Sequence, residues 1–96
     1  MSFTNNFIED KVKNANLEPL TNWDEIEIYN ICHLMVAVDP TYSMPYEEFN
    51  KKVLNRWLEL NDAVYYAAPR ENFSYYDAAE TARKAGKTKV MVEDLS

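Results

Sequence analysis

Between Pro45 and Pro69, apolar residues recur at spacings of three and four: Tyr46, Phe49, Val53, Trp57, Leu60, Val64 and Ala67. That spacing sets them on one stripe of a helix, so the pattern predicts a single long helix over about 45–67. At about 1.5 Å of rise per residue it would run roughly 35 Å, the width of a small domain, and the other elements must pack along it. Pro45 suits the first helical position, with Ser43 as a cap. Glu47 and Glu48 follow in the first turn, each four residues ahead of a lysine, Lys51 and Lys52, a spacing that supports a helix. The weak point is Asn61-Asp62, where the helix would end and leave 63–67 as a strand. The unbroken phase through Leu60, Val64 and Ala67 favours one helix.

The same reading predicts three more helices. Phe7, Ile8, Val12 and Ala15 mark a short one near 5–16, ending before Glu18-Pro19. Thr21 or Asn22 caps a second that runs to about Val38 and stops at Asp39-Pro40, followed by a turn over 39–44. Its apolar arc is Ile28, Tyr29, Ile31, Cys32, Met35 and Val36, with Asn30, His33 and Ala37 opposite or at the edge, as befits a central buried helix. After a loop over 69–73, Ser74 and Asp77 resemble a capping box, Tyr75, Ala78, Ala79, Ala82 and Ala85 form an apolar face, and Gly86 closes the helix. Residues 87–93 read as a strand, which needs a partner. The expected fold is therefore mainly α: a compact bundle of about four helices with an extended C-terminal tail. The alternative is an α+β fold in which 63–67 and 88–93 form a small two-stranded sheet.

Ninety-six residues suffice for a single domain over 1–96 and one modest core. Seven Tyr, four Phe and two Trp exceed what a disordered chain carries, so the sequence should fold. A single Cys forms no internal disulfide, and the N-terminal residues hold no apolar run of the kind that leads a secreted chain. These features suit a cytoplasmic protein without a membrane span.

Charge divides the chain. Residues 1–50 carry a net −7 and residues 51–96 a net +1, giving −6 in all. The acidic half repels phosphates and suits basic partners, or serves solubility alone.

Motifs for catalysis or cofactor binding are missing. With one Gly there is no glycine-rich phosphate cradle, and no metal-protease or hydrolase signature occurs. Cys32 and His33 are helix neighbours about 100° apart, so they do not form a nucleophile with its base; Cys32 is expected in the core. One His and one Cys are too few ligands for a metal. The sequence thus predicts no enzyme, no cofactor and no metal site.

Two constellations remain. One is acidic: Asp24, Glu25, Glu27, Glu47 and Glu48, a face suited to a basic or mixed protein surface. The other is aromatic and basic: Tyr66, Arg70, Tyr76, Arg83 and Lys87, of which Tyr76 and Arg83, seven apart, share a helix face away from the alanines. Tyr and Arg dominate protein interfaces. The expected function is a small acidic regulator or adaptor, an inhibitor of a larger enzyme or nucleic-acid-binding protein being one form of it, that docks on another protein without catalysis. The alternative is a nucleotide or single-stranded nucleic-acid binder using the C-terminal Tyr/Arg/Lys patch. Pairing through the long helix or the tail strand would also support a homodimer.

Overall fold

The computed structural model describes residues 5–38 and 47–95, and of residues 5 and 47–50 the backbone alone. The first helix, α1 (Asn5–Asn14), lies close to its expected bounds and buries Ile8 and Val12. The segment that follows is not one helix. Thr21–Trp23 (β1) and Ile26–Asn30 (β2) are strands, and only Ile31–Val38 (α2) is helical. Ile26 and Ile28 are buried two apart, the period of a strand, and the chain reverses at Asp24 and Glu25, whose φ values are 51° and 73°. Positive φ at both central residues is the requirement of a tight type I′ hairpin turn, and it joins Trp23 to its partner Ile26. Asn30 then caps α2, its side-chain oxygen accepting the backbone N–H of Cys32 at 2.8 Å.

The long helix is shorter than expected. α3 covers Glu47–Asn61, and Asp62, at φ 51°, takes the left-handed position that ends it. The Ala63 N–H turns back to the Leu58 carbonyl at 3.0 Å, and the chain continues as a strand, β3 (Val64–Ala68). The expected loop contains a 3-10 turn, Arg70–Asn72. α4 (Tyr75–Lys84) begins as anticipated, with the Ser74 hydroxyl accepting from the Asp77 N–H at 3.4 Å. It closes on Gly86 at φ 73°, with Lys87 N–H donating to Ala82 at 2.8 Å and Gly86 N–H to Arg83 at 3.0 Å, a Schellman closure that requires a residue tolerant of positive φ. The last strand, β4, is Lys89–Asp94. The turn expected over 39–44, the Ser43 cap and Pro45 lie outside the described residues.

The mainly helical expectation is therefore corrected. The protein is α+β, with a four-stranded mixed sheet in the order β1-β2-β4-β3. β1 runs antiparallel to β2, whereas β4 runs parallel to both β2 and β3. The two-stranded alternative named the right neighbours in β3 and β4 but only half of the sheet. Ile28, Val90 and Val64 share one register row and Tyr29, Met91 and Tyr65 the next. Because successive residues point to opposite faces, these rows define two cores. On one face Ile26, Ile28, Val90 and Val92 meet Ala78, Ala79 and Ala82 of α4, with Val64 and Tyr66 at the margin. On the other, Tyr29 and Met91 meet Ile8, Val12, Leu34, Met35, Val53 and Trp57 from the remaining helices. The alanines let α4 lie close to the sheet, and α3 is one of three helices on a face instead of the axis of a bundle.

Two expected core positions, Cys32 and Val36, prove exposed. With α2 starting at Ile31, its buried positions are Ile31, Leu34, Met35 and Val38, and Cys32 is exposed. The apolar arc inferred for a helix over 22–38 took in two strand residues, Ile28 and Tyr29, and was rotated by them.

Candidate functional site

The two surfaces expected from the sequence meet at one place. The hairpin turn brings Asp24 alongside α4, where its carboxylate lies 3.5 Å from the Arg83 guanidinium. Arg83 also bonds Glu80, one turn before it on α4, at 2.6 Å, and donates to the Trp23 carbonyl at 3.3 Å. A single cation thus ties the hairpin to the helix. Asp24 is largely in water, so this tie orients the side chain more than it stabilises the fold.

Next to Arg83 stand two exposed aromatics. Trp23 pairs with Ile26 on the face of the sheet that α4 covers, so its ring lies over the side of that helix. There it meets Tyr76 edge-on, with ring centroids 6.2 Å apart. The rings are 41% and 54% exposed, so much of their apolar surface remains open. A second aromatic group starts from the adjacent residue on α4: Tyr75 stands edge-on to Phe73 at 5.4 Å, and Phe73 in turn meets Tyr66 at 5.6 Å. The rings thus form two groups, Trp23 with Tyr76 at the hairpin turn and Tyr75, Phe73 and Tyr66 between the start of α4 and β3.

The other residues singled out from the sequence are dispersed. Tyr66 is half-buried beneath Phe73 and packs on the α4 core. Arg70 sits in the 3-10 turn and pairs with Asp94 at 3.4 Å. Lys87, just beyond α4, is bonded to Asp62 at the end of α3. Glu25 is exposed in the hairpin turn. Glu27 lies within β2 and accepts the Tyr29 hydroxyl at 2.8 Å, so it belongs to the face of the three helices, opposite α4. Glu47 and Glu48 open α3, and their side chains lie outside the described residues. Trp23 was missed by sequence reasoning: only the hairpin places it on α4, and the signal for the hairpin was the alternation Ile26-Glu27-Ile28.

Among the described residues, no group of three or more His, Cys, Asp or Glu stands where it could hold a metal ion. No helix there is long and apolar enough to cross a membrane. No family model, curated protein or solved structure matches the chain.

Proposed function

We propose that the protein is a non-catalytic binding module, a regulator or adaptor that docks on another protein through Trp23, Tyr76 and Arg83. The observation that carries this reading is the exposed Trp23–Tyr76 pair held beside a fixed guanidinium. Trp, Tyr and Arg are the residue types that dominate binding energy at protein interfaces, because each offers a large rigid contact with a polar edge. Arg83 is restrained by three acceptors, so less side-chain freedom is lost when a partner covers it. The net charge of −6 favours a partner with a basic or mixed surface and speeds their encounter. Inhibition of a larger enzyme or nucleic-acid-binding protein is one form such docking takes.

The nucleic-acid alternative has less support. Arg70, Arg83 and Lys87 are each paired with a carboxylate of the same chain, and a phosphate would have to displace Asp94, Asp24 and Glu80, or Asp62. The test is quantitative capture from the native cell with the wild type and with the double variant Trp23→Ala/Tyr76→Ala, helical content being checked first. A partner should be retained by the wild type and bind the variant about thirtyfold or more weakly. Equal recovery on both baits refutes the assignment.

A further inference from the structure

β3 forms one border of the sheet and, among the described residues, pairs with β4 alone. In a strand, the N–H and C=O of one residue point to one side and those of the next residue to the other. The Ala68 carbonyl accepts the Leu95 N–H at 2.9 Å, on the β4 side. Val64, Tyr66 and Ala68 therefore bond towards β4, and Tyr65 and Ala67 direct their N–H and C=O groups outward. No described backbone group outside the sheet meets those four groups.

Monomeric proteins blunt such a border with charges, proline or a bulge. Val64-Tyr65-Tyr66-Ala67-Ala68 has none of them. The opposite border is managed: β1 has three residues and ends in the tight turn at Asp24 and Glu25.

We propose that the protein forms a two-fold dimer by antiparallel pairing of β3 with β3 of a second copy, Tyr66 facing the partner's Tyr66. The register follows from symmetry. The outward residues alternate along the strand and a bonded pair joins two of them, so the two-fold axis must pass between one residue and its own copy. Centring on Tyr65 sets the outward groups of Ala67 against Ala63, whose N–H is already committed to Leu58. Centring on Ala67 sets Tyr65 against Pro69, which has no N–H. Centring on Tyr66 alone pairs Tyr65 with the partner's Ala67, and Ala67 with the partner's Tyr65, and satisfies all four outward groups in each copy.

The side chains agree with that register. The large Tyr65 lies opposite the small Ala67, Val64 lies opposite Ala68, and the two half-buried Tyr66 rings meet on the α4 face. Beyond the strand ends, Asp62 and Arg70 are already paired within their own copy, with Lys87 and Asp94, so the association rests on the strand itself. The pairing joins two four-stranded sheets into one of eight strands. It leaves Trp23 and Tyr76 free, since they belong to the other border.

A strand pair of this size gives a concentration-dependent dimer, with a dissociation constant on the order of 1–100 µM. Sedimentation of the full chain from about 1 µM to 1 mM should show the mass doubling; a constant monomer mass, or growth beyond a dimer, overturns the proposal. Ala67→Pro removes an outward N–H without touching the β4 ladder, and should weaken the dimer about tenfold or more. In a Cys32→Ser background, Tyr66→Cys should form an intermolecular disulfide under mild oxidation, because facing non-bonded residues are within disulfide reach. Val64→Cys should not, its own copy lying about 13 Å along the partner strand. A dimer that survives Ala67→Pro and does not cross-link through Tyr66→Cys, or that cross-links equally through Val64→Cys, places the contact elsewhere and refutes the register. Should Ala67→Pro fail to fold, the two cysteine variants decide.

Discussion

The indole of Trp57 on α3 stands edge-on to the ring of Tyr29 on β2, with centroids 5.0 Å apart. The contact joins the longest described helix to the sheet, and both residues are buried. Trp57→Ala removes the largest side chain of that core and leaves Tyr29 without its neighbour. It should destabilise the protein by about 3–5 kcal/mol in denaturant unfolding. A loss under about 1 kcal/mol would mean that α3 does not anchor this face.

Glu25 adopts φ 73° in a two-residue turn, a conformation that costs an L-residue about 1–2 kcal/mol and glycine almost nothing. Glu25→Gly should therefore stabilise the fold, by up to about 1 kcal/mol once the greater freedom of glycine in the unfolded chain is counted. A lower midpoint in thermal or denaturant unfolding would show that the Glu25 side chain contributes something the turn geometry does not reveal.

The Tyr29 phenol is pushed up to about 12 by burial, reinforced by its bond to the Glu27 carboxylate and by that negative charge. Its ordinary value is 10.0, so the unfolded chain ionises first. The stability that Tyr29 contributes is whole below pH 10 and is lost as pH rises towards 12. Alkaline unfolding should be steepest in that window, and Tyr29→Phe should flatten it. An unchanged slope in the variant would assign the alkaline loss to another group. Tyr65, raised for the same reason of burial and by its bond to Glu93, is the group to substitute next.

Much of α4 was legible in the sequence because its signals are local. Ser74, Ala78, Ala79, Ala82 and Gly86 act within a turn or two of one another and do what their residue types suggest, whereas Tyr75 and Ala85 of the expected apolar face are exposed and only the Ser74 half of the capping box forms. The sheet was harder to read, for two reasons. Asp24 and Glu25 make the hairpin turn without asparagine or glycine, the residues by which such turns are recognised, so 21–38 passed for one helix. The chain after Asp62 is apolar enough on both faces to continue the helical stripe of α3 by coincidence, and only the left-handed Asp62 separates them. The acidic and basic surfaces looked independent because the sequence separates Asp24 from Arg83 widely; the same unread hairpin brings them together.

β4 touches both β2 and β3, and those two strands do not pair with each other. Val90, Met91 and Val92, all fully enclosed, supply material to both layers of the interior. Without 89–94, no strand pairing joins β2 to β3, and both layers of the interior lack their central residues. Closure of the sheet should thus be cooperative, the two halves locking together only when 89–94 pair on both sides at once.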